Sequence, residues 1–163
     1  MTRSRVNDKK EQDMDVTTKA ISFSGRAILG LDFLAPLVEL GARVWLANIF
    51  WKSGLTKISS WDSTLTLFNY VYQVPAISPE LAAWLSTGVE LGGAALLAVG
   101  FGGRFAATAL LILNIVAVIS FPDLSAVGLK DHFYWGLLLL LFLVRGPGKL
   151  SIDYLVRKRF MTV

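Results

Sequence analysis

The sequence predicts an all-α fold: an integral membrane four-helix bundle with both termini cytoplasmic. Three observations lead there. Hydrophobic residues make up 54% of the 163 residues and charged residues only 17%, with a mean hydropathy of +0.56, well above an ordinary soluble domain. Four apolar runs are separated by short polar or glycine-rich stretches. The lysines and arginines gather beside alternate ends of those runs, as they do in chains oriented by the positive-inside rule.

Residues 1–19 are polar, with Arg3, Arg5, Lys9, Lys10 and Lys19 among acids and amides, and read as a mobile cytoplasmic tail. No apolar core or small-residue cleavage site follows as a signal peptide would require. Residues 20–35 mix apolar positions with Arg26 and Asp32 and read as an amphipathic interfacial segment. The first span, 36–55 (PLVELGARVWLANIFWKSGL), is about 20 residues long, enough to cross a hydrocarbon layer of ~30 Å at ~1.5 Å per residue. It nevertheless carries Glu39, Arg43, Asn48 and Lys52. A charge at bilayer depth costs at least ~2.5–3.5 kcal/mol, so other helices must cover this one's polar side.

Residues 57–79 read as a long outer loop with Trp61, Asp62, Phe68, Tyr70 and Tyr72, in which 64–72 forms a short interfacial helix. The second span, 80–101, starts behind Pro79, a favoured first-turn residue. Gly102, Gly103 and Arg104 make a turn so short that spans two and three must be antiparallel neighbours. The third span, 104–121, contains one strongly polar interior residue, Asn114. In the fourth, the apolar run 133–144 is only about 12 residues, too short to cross alone, so a full crossing takes in Lys130, Asp131 and His132. Arg145-Gly146-Pro147-Gly148 stops that helix, and 149–163 forms a basic cytoplasmic tail. The membrane domain is therefore 36–148, preceded by the tail and interfacial segment 1–35. Twelve lysines and arginines lie on the side of the termini; Lys57 and Lys130 lie opposite, with Lys52 at the helix edge. Trp51, Trp61, Tyr70, Tyr72, Trp84, Tyr134 and Trp135 gather at that opposite, outer boundary.

Several stretches carry a family resemblance: SGLTK at 53–57, ELGG at 90–93, GGR at 102–104 and GPGKLSID at 146–153. In this order and spacing, over 36–153, the chain resembles the DoxX family of small four-span bacterial membrane proteins. The resemblance implies a multi-pass protein of the bacterial inner membrane, accessory to a membrane redox or oxidative-stress system. It also implies a membrane, periplasmic or cytoplasmic protein partner besides the lipid bilayer.

Two polar clusters are candidates for chemistry. The intramembrane one comprises Glu39 and Arg43 on span one, Glu90 on span two and Asn114 on span three. Counted along the helices they fall at similar depth, which predicts an Arg43–Glu90 ion pair with Asn114 nearby. Such a cluster is either a structural lock that satisfies its own charges or a pocket that hydrogen-bonds the carbonyls of a quinone-type ligand. The outer-mouth cluster comprises Lys52, Lys57, Asp62, Asp131 and His132, with Lys130 beside them. His132 is the one side chain with an ordinary pKa near neutrality, and its alternative role is plain interfacial solvation. One histidine among lysines is a thin metal-ligand set. The absence of cysteine excludes disulfides, thiolate metal sites and iron–sulfur clusters.

Three function classes follow: a redox accessory protein that binds a quinone-type ligand, a small transporter with a relay at Arg43, Glu90 and Asn114, and an autonomous oxidoreductase. The lack of cysteine, of a second histidine and of any dinucleotide motif argues against the third. No intrinsic cofactor is expected, with quinone the one ligand class in view. The charge of +4 is accounted for by topology rather than nucleic acid, and a homo-oligomer is compatible with the chain.

Overall fold

In a computed structural model, the described residues are 2–161, with side chains described for 30–161. No strand occurs among the described residues. The helices are α1 (Thr2–Ser59), α2 (Trp61–Tyr70), α3 (Pro79–Val99), α4 (Gly103–Ser120), α5 (Ala126–Arg145) and α6 (Ile152–Phe160). A single π-helical turn, Val89–Gly93, interrupts α3. The chain divides into two compact units, Met1–Pro36 and Leu37–Val163. The reading of 1–35 as tail and interfacial segment falls largely outside the described side chains.

Four stretches are long and apolar enough to cross a membrane: Gly30–Ser59, Pro79–Val99, Gly103–Ser120 and Ala126–Arg145. The last includes Lys130, Asp131 and His132, as the shortness of its apolar run required. Large apolar side chains point away from the bundle, among them Phe105, Ile119 and Val144 at 64–72% exposure, an arrangement that suits hydrocarbon rather than water. Inside the bundle, Leu46, Leu97, Leu110 and Leu139 are fully buried and form one cluster with Phe50 and Phe142.

The starts of α3, α5 and α6 follow from their caps. Ser78, Ser125 and Ser151 accept hydrogen bonds from the amides of Leu81, Gly128 and Tyr154, which supplies acceptors for donors the first turn cannot satisfy. Between α1 and α2 the structure differs from the expected long loop. Helix α1 runs through Lys57 to Ser59 and α2 occupies Trp61–Tyr70, so only Ser60 and residues 71–78 are irregular. Lys57, at the head of the expected loop, is retained in the helix because its charge is met inside the bundle, as described below.

At the end where α3 turns into α4, the chain's last segment closes the bundle. The buried Arg43 guanidinium donates to the carbonyl of Pro147 and, at 2.7 Å, to that of Leu150. The Asp153 carboxylate accepts from the amides of Gly102 and Gly103, both at 2.8 Å, at the start of α4, and the Asp153 amide donates to the Gly100 carbonyl. A carboxylate at a helix N-terminus also complements the helix dipole. Gly100 and Gly102 both have positive φ, and they differ in surroundings. A Cβ on Gly100 would lie 2.5 Å from Ser151 and 2.6 Å from Arg43, whereas one on Gly102 would meet nothing within 4 Å.

That difference is measurable. Gly102→Ala should cost only the left-handed backbone penalty, ~1–2 kcal/mol. Gly100→Ala should cost clearly more, because it must also displace the Arg43 clamp. Thermal unfolding of both variants in the same detergent tests this, and equal losses would show that the clamp is loose.

Candidate functional site

At the other end of the bundle the helices do not close on one another but surround a cavity of about 560 Å³. Helix α1 contributes Phe50, Ser53 and Lys57, which share one face at helical spacing. Helix α3 contributes Ser86 and Glu90, α4 contributes Asn114, Ala117 and Ser120, and α5 contributes His132 and Trp135. Phe68 of α2 and Tyr72 just beyond it stack on each other, and Tyr72 stacks on Phe121, which makes an aromatic roof. The roof is held in place because Thr64 donates to the Lys57 carbonyl at 3.0 Å and the Gln73 amide donates to the Ser120 carbonyl at 2.7 Å.

One wall carries a charged triad. Lys57 Nζ lies 2.7 Å from both Glu90 carboxylate oxygens. Ser53 Oγ donates to Glu90 Oε1 at 3.0 Å and accepts from Lys57 at 3.1 Å. The two charged side chains are only 16% and 9% exposed, so each depends on the other for neutralisation. Close approach of α1 to α3 makes this reach possible. A Cβ on Gly54 would sit 2.7 Å from Leu91 and 3.2 Å from the Glu90 Cβ, so only glycine fits there. Glu90 itself lies in the π turn of α3, a distortion that often accompanies functional positions in helices.

The opposite wall carries an amide–imidazole pair. Asn114 Nδ2 donates to the His132 carbonyl at 2.9 Å, and Asn114 Oδ1 lies 2.8 Å from His132 Nδ1. Since that Oδ1 can only accept, Nδ1 carries the ring proton and Nε2 is left as an acceptor in the neutral ring. Trp135 packs edge-on against both His132 and Phe50, which fixes the ring's position. Gly136 leaves room for the amide, because a Cβ there would be 3.3 Å from Asn114 Nδ2.

Two hydroxyls complete the polar inventory. Ser120 Oγ is buried against the cavity with no hydrogen-bond partner among the described residues. Burial, and then the Glu90 carboxylate, push the Tyr72 phenol up from its ordinary value, so it remains a neutral hydroxyl at physiological pH. The remaining walls are apolar. An apolar chamber with a few convergent polar groups suits a lipid-soluble molecule that has a small polar head.

The expected clusters are thus redistributed. Glu90 and Asn114 line the cavity, joined there by Lys57 and His132 from the outer-mouth group. Glu39 and Arg43 lie at the other end, where Glu39 is 3.7 Å from Arg145. The anticipated Arg43–Glu90 ion pair is not formed: Arg43 is taken by backbone carbonyls of the C-terminal segment and Glu90 by Lys57. Arg43 lies level with Gly100 at the α3–α4 turn rather than several residues inside the bundle, so the depth count placed it too close to Glu90. Lys52, Asp62 and Asp131 are exposed and do not line the cavity. Ser53, Ser86 and Ser120 were not singled out as a site. The spacing of Ser53 and Lys57, four apart beside a glycine, was the available signal for the first, and nothing in the linear sequence marked Ser120.

A family model described as DoxX matches residues 38–123, from within α1 to just past the end of α4. No curated protein matches, and no solved structure does.

The triad makes a quantitative prediction. Lys57→Met or Glu90→Leu alone should each destabilise the protein by ~3–5 kcal/mol, while the double variant should recover most of that loss. Arg43→Leu combined with Glu90→Leu should instead be additive within ~0.5 kcal/mol, because the two share no partner. Unfolding midpoints of the five variants give both couplings, and coupling of Arg43 rather than Lys57 to Glu90 would reverse the assignment.

Proposed function

Since the chain belongs to the DoxX family, we propose that it serves as a multi-pass accessory protein of a membrane redox or oxidative-stress system and binds a quinone-type ligand. The observation that carries this reading is the cavity, walled by apolar side chains of all four spans and equipped with the Ser120 hydroxyl, His132 and the Lys57–Glu90 pair. A quinone supplies two carbonyl acceptors on a flat apolar ring and carries electrons and protons between partners. The residues fit such a group. Ser120 and Tyr72 offer hydroxyl donors, the Lys57 ammonium places positive charge near a carbonyl oxygen, and His132 Nε2 accepts from a hydroxyl. The flat aromatic surfaces of Phe68, Tyr72 and Trp135 bound the chamber. Redox chemistry would be completed by a partner, since the chain brings no thiol.

The orientation we assign follows the charge asymmetry. The closed end, with Arg104, Arg145 and the basic α6, faces the cytoplasm of a bacterial inner membrane, and α2 with the cavity faces the outer side. The transporter reading loses its specific support, because Arg43 does not share a site with Glu90 and Asn114.

Two experiments test these assignments. Purified in nanodiscs, the protein should retain quinone in extracts read by mass spectrometry and should bind a decyl-tailed benzoquinone in titration. Ser120→Ala should weaken that binding by ~3–10-fold, the worth of one hydrogen bond, without loss of stability, because it removes an unpartnered buried hydroxyl. Ala117→Phe, which fills the chamber, should abolish it. Unaltered affinity in both variants would place any quinone elsewhere. Single cysteines at Ser63 and Met161 should label with an impermeant reagent from the outer side only at Ser63; labelling at Met161 would invert the topology.

A further inference from the structure

Helix α6 is too apolar on one side to be an inert tail. Ile152, Leu155, Val156 and Phe160 recur at helical spacing, and they are 40%, 62%, 42% and 78% exposed. No residue of the helix is buried. Its last turn carries Arg157, Lys158 and Arg159, none of which pairs with a carboxylate among the described residues. The one acid on the helix, Asp153, is occupied by the amides of Gly102 and Gly103.

Position decides what can cover this face. The Asp153 clamp ties the first turn of α6 to the start of α4, and Arg43 holds Pro147 and Leu150 just ahead of it. Helix α6 therefore begins at the level where the spans end, which is the boundary between hydrocarbon and headgroups. An exposed apolar face at that depth is stable where acyl chains meet it. Three adjacent cations there attract anionic headgroups, and long basic side chains reach them while their stems stay in the apolar layer.

We propose that α6 is a binding site for anionic phospholipid headgroups, lying in the interface with its apolar face inserted and Arg157, Lys158 and Arg159 engaging lipid phosphates. The site is independent of the cavity and rests only on the four spans crossing the membrane. The clamp makes it more than a general affinity for the surface. Because Asp153 anchors the helix at its start, its basic end is held at a fixed place beside the bundle.

The test uses the full chain in nanodiscs of phosphatidylcholine, alone or mixed with phosphatidylglycerol. The retained phosphatidylglycerol, counted by native mass spectrometry, should exceed its share of the mixture in the wild type. In the R157Q/K158Q/R159Q variant that preference should fall by about fivefold per charge, on the order of a hundredfold in all. A nitroxide on Phe160→Cys, in the otherwise native chain, should collide with oxygen in preference to a water-soluble nickel relaxant. Undiminished phosphatidylglycerol preference in the triple variant would overturn the proposal. So would a water-exposed nitroxide, including one that becomes shielded only when a soluble protein is added, which would assign the face to that partner.

Discussion

An ammonium and a carboxylate drawn out of water onto the wall of an apolar chamber set the terms for the rest of this bundle. Each of Lys57 and Glu90 alone would be costly there; together, with Ser53 bridging them, they are satisfied at 2.7–3.1 Å. That satisfaction requires α1 to remain helical past the apolar run, α3 to present Glu90 from a π turn, and Gly54 to let the two backbones approach. Remove any of these and the pair is stranded. The pair sits at the edge of the cavity, and the apolar cluster of Leu46, Leu97, Leu110 and Leu139 holds the same helices together elsewhere.

The two ends of the bundle solve the same problem differently. Buried charge at the cavity end is met by another side chain, so its neutralisation depends on a second ionisable group. At the other end Arg43 is met by main-chain carbonyls and Asp153 by main-chain amides, which cannot titrate. The closed end is thus held largely by main-chain partners, while the cavity end keeps ionisable groups facing a space that a ligand can enter. The short sequence stretches that carry the family resemblance divide along the same line. SGLTK and ELGG build the triad, and GGR and GPGKLSID build the clamp.

The positions of the spans were legible because hydropathy integrates over about 20 residues and is insensitive to any one of them. The fourth span was legible even through its polar start, since length alone demanded Lys130–His132. Partner choice was not legible. It turns on which helix face meets which neighbour, and counting along one helix cannot show that Arg43 ends level with Gly100 and the C-terminal segment. Lys57 stands in sequence at the head of an outer loop, and only the fold reveals the carboxylate that keeps it in the helix. Ser120 is the clearest case: an ordinary serine in sequence, and a buried hydroxyl without a partner in the structure.

The Arg43 clamp also bears on how the chain comes to be inserted. The carbonyls that satisfy this arginine belong to Pro147 and Leu150, 104 and 107 residues further along. Throughout synthesis of the intervening three spans, the nascent first helix therefore carries a cation whose eventual acceptors have not yet been made. Until that segment is made, the arginine's charge must be met by water or by the insertion machinery. Closure of the arginine site thus waits on a segment that follows all four spans in the chain.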